Sequence, residues 1–157
     1  MIYNKTALAN ASLFDDAYRI LNEKLQIGAK TGNERDMALF VPVVMNCTFS
    51  CELFLKSLLP KGTRGHALFN QLFTNLDSNI ANNIQNAVVH IMKEKNNDYS
   101  KADFENDLIE HEKAFEEWRY FHEKHNTSTF DLDFMSVFQA CVKAIAEVEN
   151  RQNGRNE

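Results

Sequence analysis

The segment Trp118-Arg119-Tyr120-Phe121-His122-Glu123-Lys124-His125 places one permanently charged guanidinium and two imidazoles within about two helical turns. Cleaving RNA without a metal needs such groups: a base for the ribose 2′-hydroxyl proton, an acid for the leaving oxygen and a cation facing the phosphorane. On a regular helix Arg119 and His122 are about 60° apart, and Arg119 and His125 about 120° apart. Arg119 and His125 therefore meet only if that helix bends or ends, or if a second copy of the chain completes the site. The structural alternative is that Trp118 packs, Arg119 pairs with an acid such as Glu52, and the histidines are ordinary seam and end residues.

Two further groups of residues stand out from the packing pattern. Glu52, with Asn46 and Ser50, interrupts an otherwise apolar stretch. A buried carboxylate costs several kcal/mol unless it meets a cation. Lys56 is four residues on, in the favourable order for a local pair, and Arg119 is the long-range option. The loop Lys61-Gly62-Thr63-Arg64-Gly65-His66 gathers two fixed cations and an imidazole just before a helical stretch whose first amides attract anions. It lacks the Gly-Lys-Ser/Thr order of a phosphate-binding loop after a strand, so solvated turn charge is the plainer reading. No Gly-x-Ser-x-Gly elbow, dinucleotide fingerprint or His-Glu-x-x-His metal helix is present. Cys47, Cys51 and Cys141 are odd in number, two of them one helical turn apart, which fits reduced core thiols better than disulfides or zinc. No metal or cofactor is expected.

The elements that must position these groups follow from composition and periodicity. The 157 residues suit one domain, residues 1–150, with a polar tail over residues 151–157. Only 5 Gly and 2 Pro are too few turn-formers for a many-stranded β fold, so an all-α bundle of long helices is expected. The net charge of -5 disfavours a general grip on nucleic acid and confines any polyanion site to a local patch. The first residues do not form a secretory signal, which suggests a cytoplasmic protein. The most apolar window, Met37 to Leu59, carries Asn46, Glu52 and Lys56 and reads as a core helix, with no membrane partner.

Leu8, Phe14, Tyr18, Leu21 and Leu25 step as a first helix over about residues 6–27, closing near Gly28. The segment from Asn33 to Pro60 is apolar nearly all round and is the expected centre of the bundle; Pro42 either breaks this helix or sits in its first turns, so that it starts at Ala38 or later. A short helix from His66 to Leu76 follows the loop. The next, capped by Asp77 or Ser78 and carrying Ile80, Ile84, Val88 and Ile91, breaks at Lys95-Asn96-Asn97-Asp98. Phe104, Leu108, His111, Phe115, Trp118 and His122 step by four and three along one continuous helix that ends at Asn126 to Thr129. Those residues cap the last helix, whose seam is Phe130, Phe134, Val137, Cys141, Ile145 and Val148.

Three stretches together resemble the HEPN superfamily: Phe40-Val41-Pro42 through Asn46 to Leu59, then Gly65-His66-Ala67-Leu68-Phe69-Asn70-Gln71-Leu72-Phe73, then Ala114-Phe115-Glu116-Glu117-Trp118-Arg119-Tyr120. The resemblance spans about residues 35 to 148. It implies an up-and-down bundle of five to six helices, a homodimer, and in many members a metal-independent endoribonuclease of toxin–antitoxin or phage-defence systems. The family signature is an Arg, four to six residues, then a His, brought together across the dimer interface; Arg119 and His125 meet it. On that basis Arg119 contacts the phosphate, His125 acts as acid or base, and His122 assists. Glu52, Asn46, Arg64, His66 and Lys124 are the supporting or substrate-binding candidates. RNA and an antitoxin or other protein are the implied partners, with RNA binding weakened by salt through Lys61, Arg64, Arg119, Lys124 and His125. Two departures are visible: Tyr120 stands directly after the Arg, where active members usually carry a polar residue, and Thr127 stands two places after the His, where many have a Tyr.

Overall fold

The structure, a computed structural model, describes residues 4–120 and 130–153. It is mostly helical, with no β-strand among the described residues. Helix α1 spans Lys5–Thr31, α2 Glu34–Met37, α3 Phe40–Ser57, α4 Ser78–Lys93, α5 Lys101–Glu110, α6 Ala114–Arg119 and α7 Leu132–Asn153. The all-α class is as expected, and α7 continues as far as Asn153, past the start of the expected tail.

Local chemistry sets most helix ends. Asn4 caps α1 by accepting the Ala7 N–H at 3.1 Å, and Gly32 ends it in the left-handed region at φ 70°. Gly28, where the sequence suggests a stop, instead lies inside α1. It is small because α2 folds back against it: a Cβ there would come within 2.5 Å of the Asp36 Cβ. Pro42 sits in the first turn of α3, where its missing N–H costs nothing. Asp77 caps α4 through the Asn79 N–H, and Ser100 and Asp103 form a capping box on α5.

Two expected elements differ. His66 to Leu76 is not a regular helix but a π-helical turn, Leu68–Leu72, followed by a 3₁₀ turn, Phe73–Asn75. The continuous helix through Phe104 and Trp118 is broken after Glu110 and resumes as α6. The break is wired by His111, which is buried. Its Nδ1–H donates to the Asp107 carbonyl at 2.7 Å, and its Nε2 accepts the Asp131 N–H at 2.8 Å, tying the end of α5 to the start of α7. Asp131 in turn caps α7 through the Phe134 N–H.

Helix α3 is the central element, packed by α1, α6, α7 and the π-helical turn. The Asn4 N–H donates to the Ser57 carbonyl and Phe14 meets Phe49, so α1 and α3 run antiparallel. The core joins Phe54 of α3 to Phe73, Phe104, Phe134 and Phe138. Phe104 lies 5.3 to 6.2 Å from the rings of Phe73, Phe134 and Phe138, and truncating such a side chain costs about 3–5 kcal/mol. Phe-richness is thus largely core packing. A second cluster of Val44, Ala114 and Trp118, covered by Phe40 and Phe130, seats α6 on the first half of α3. The stretch Glu34–Ser57 has the length and hydropathy of a membrane-crossing segment, and half of it is buried inside the bundle, which accounts for its apolar character. In α7 the buried positions include Phe138, Val142 and Ala146, while Val148 of the expected seam is 44 % exposed.

Candidate functional site

Glu52 is 1 % exposed in the second half of α3, a depth at which a carboxylate must be paired. The expected local partner, Lys56, is present, and in place of the expected buried partner Arg119 stands His66, which is half exposed. Lys56 Nζ donates to Oε1 at 2.7 Å, and His66 Nδ1–H donates to Oε1 at 3.0 Å and to Oε2 at 3.2 Å. A carboxylate only accepts, so this contact places the His66 proton on Nδ1 and leaves Nε2 on the outer side of the half-exposed ring. The loop that carries His66 is itself held. Gln71 Oε1 accepts the backbone N–H of His66 at 2.8 Å and of Ala67 at 3.1 Å. Gly65 must be glycine, because its φ is 114° and a Cβ would stand 2.6 Å from that same oxygen. A buried acid orienting a half-exposed imidazole through Nδ1, with Nε2 as the acceptor, is the arrangement of a base and its orienting group. Lys61 and Arg64 are exposed on the same loop.

Arg119 does not reach Glu52. Phe115 stacks on Phe49 at 4.7 Å, and one turn later Trp118 meets Phe40 at 5.5 Å and packs on Val44. Helix α6 therefore runs antiparallel to α3 and carries Arg119 towards the start of α3, away from Glu52. The guanidinium is exposed, 5.7 Å from the Phe115 ring centre and 4.6 Å from that of Tyr120, and its Nη2 donates to the Tyr120 hydroxyl at 2.8 Å. The intrachain Arg119–Glu52 ion pair is thus replaced by two separate arrangements. Asn46, another supporting candidate, turns back on its own helix and donates to the Pro42 carbonyl at 2.8 Å. His122, Lys124 and His125 lie outside the described residues.

A polar network not foreseen in the sequence lies between α1 and α7. Asp15, 2 % exposed, accepts from Gln139 Nε2 on one oxygen and from Lys143 Nζ on the other, both at 2.5 Å. Gln139 also reaches the Ser50 Oγ of α3 at 3.3 Å. Beside it the Tyr18 hydroxyl lies 2.6 Å from Ser136 Oγ. Burial pushes the Tyr18 phenol up to about 12, helped by the thiols of Cys47 and Cys51 and by Asp15. These groups floor a cleft of about 560 Å³ rimmed by Arg19, Glu23 and Glu147. Asp15 does carry a sequence signal: seven residues after Leu8 and three before Tyr18, it falls on the apolar side of α1, where a carboxylate stands out as Glu52 does in α3.

The three cysteines are free and buried. Burial raises the thiols of Cys51 and Cys141, the latter to about 11, so both are protonated and unreactive at neutral pH. No group of three or more His, Cys, Asp or Glu suited to a metal ion occurs among the described residues. No family model, no curated protein and no solved structure matches the chain.

Proposed function

We propose that this chain is a HEPN-like homodimer that cleaves RNA without a metal ion, in the cytoplasm and in a toxin–antitoxin or phage-defence setting. The supporting observation is the state of Arg119. It is exposed, held by Tyr120 and free of Glu52, and so is available to a phosphate. A catalytically silent protein held together by an Arg119–Glu52 pair loses its main support, because Glu52 is served by Lys56 and His66. The Tyr120 departure from the family pattern also loses weight, since its hydroxyl supplies a polar atom beside the guanidinium.

In the proposed reaction the 2′-oxygen attacks the adjacent phosphorus as its proton passes to a base. The bond to the 5′-oxygen breaks, that oxygen takes a proton from an acid, and the products are a 2′,3′-cyclic phosphate and a 5′-hydroxyl. Arg119 stabilises the phosphorane charge and His125 serves as acid or base, one or both supplied across the dimer. The test is incubation of the purified protein with total RNA in EDTA beside Arg119→Ala and His125→Ala, with mass followed by light scattering. Cleavage by the native dimer, abolished in both variants while the dimer persists, supports the reading. Absence of cleavage on every RNA tried overturns it.

A further inference from the structure

We infer that the loop from Lys61 to His66 is a second phosphate site for single-stranded RNA, set apart from Arg119 along one face of α3. The inference rests on RNA being the substrate, and it adds where the strand runs. Phe49 and Glu52 are three residues apart on α3 and so share a face on successive turns. The Phe49 end of that face leads through Phe115 to Arg119. The Glu52 end leads directly to His66. The half-buried rings of Phe49 and Phe115, stacked on each other and met by the partly exposed Phe14 of α1 edge-on against Phe49, form an apolar floor between a cation at one end and a cationic loop at the other.

The loop end has the features that binding a phosphate needs. His66 is oriented from behind by a buried carboxylate, and in its imidazolium form, with both ring nitrogens protonated, Nε2–H can donate to a phosphate oxygen. Gln71 holds the backbone at His66 and Ala67, which removes much of the ordering cost of binding. Lys61 and Arg64 are exposed and make no ion pair with any described residue. Glu112, whose Oε2 accepts the Asn70 side-chain amide at 2.7 Å, keeps its negative charge and forms no ion pair with Lys61 or Arg64. Two phosphate-binding points separated by an apolar floor suit a flexible single strand, whose bases can turn onto that floor between its phosphates.

The probe is a fluorescently labelled 2′-O-methyl decanucleotide, which lacks the attacking hydroxyl and cannot be cleaved. Its binding is followed by anisotropy over a range of salt concentrations. Variant Lys61→Ala/Arg64→Ala changes only exposed side chains and should fold as the native chain does, checked by circular dichroism. It is expected to bind about tenfold more weakly at low salt, with the slope of log K against log salt reduced by about 1.4, or 0.7 for each phosphate no longer neutralised. His66→Gln should weaken binding as well. Native-like affinity and salt slope in the double variant, or no binding by the native protein, overturns the inference. The two proposals fail separately. Binding through the loop without cleavage of ordinary RNA removes the nuclease and leaves the site, and cleavage with unchanged binding in the loop variant removes the site and leaves the nuclease.

Discussion

Arg119 and Tyr120, neighbours in sequence, are also partners in space: Nη2 donates to the phenol at 2.8 Å while the guanidinium lies over the same ring at 4.6 Å. The tyrosine thus restrains a side chain that would otherwise sample many rotamers in solvent. Tyr120→Phe keeps the stacking and loses the acceptor, a change of about 1 kcal/mol. In the RNA-cleavage assay kcat/KM is expected to fall about fivefold, and Tyr120→Ala should lower it further. Equal activity of native protein and Tyr120→Ala would show that Arg119 needs no such support.

Glu52 is the buried charge on which two cations converge. Glu52→Ala leaves Lys56, 17 % exposed, without its partner and frees the His66 loop. Breaking a buried pair by removing one member costs roughly 3 kcal/mol, which for a chain of this size lowers Tm by about 10 °C. Differential scanning calorimetry reads the shift, and a change below about 2 °C would mean that Glu52 contributes little to the fold.

Gly28→Ala sets helix propensity against packing. Alanine is favoured by about 1 kcal/mol in a helix interior. Here its methyl would meet the Asp36 Cβ at 2.5 Å and the Met37 nitrogen at 3.0 Å, neither of which is the flexible end of a side chain. Overpacking of this kind costs about 1–3 kcal/mol. The variant should be less stable in urea denaturation, with α2 displaced. Greater stability would show that α2 docks only loosely.

The Tyr18 phenol titrates near 12 in the folded protein against an ordinary value near 10. Folding therefore favours the neutral phenol. Its contribution is complete below pH 10 and is lost as pH rises through 12. Tyr99 is shifted in the same direction, by burial and by donation to Asp107. Alkaline unfolding should set in above pH 10, and Tyr18→Phe should remove part of that pH dependence while Tyr99 maintains the rest. Identical alkaline profiles for the native and Tyr18→Phe proteins would contradict the assigned burial.

The supporting loop was partly visible in the residues: Lys61, Arg64 and His66 stand together as a cationic turn, and Glu52 marks itself by polarity in an apolar helix. Its partner was not, because His66 is 14 residues away and nothing in periodicity chooses between it, Lys56 and Arg119. The partners of Asp15 were hidden for the same reason, its links to Gln139 and Lys143 spanning 124 and 128 residues.

By itself the sequence determined the helical class, the apolar course of α3 and a cap for α4 at Asp77 or Ser78, and it placed the end of α4 at Lys95 to Asp98, just beyond its last residue, Lys93. These depend on groups within one or two turns of each other, where a side-chain oxygen either reaches an open N–H or does not. Only the tertiary structure decided that Gly28 is a packing point and not a helix end, that His111 breaks the helix carrying Trp118, and that Arg119 turns towards Tyr120. Each of those outcomes depends on what another element brings against the residue, and a periodic pattern carries no information about that neighbour.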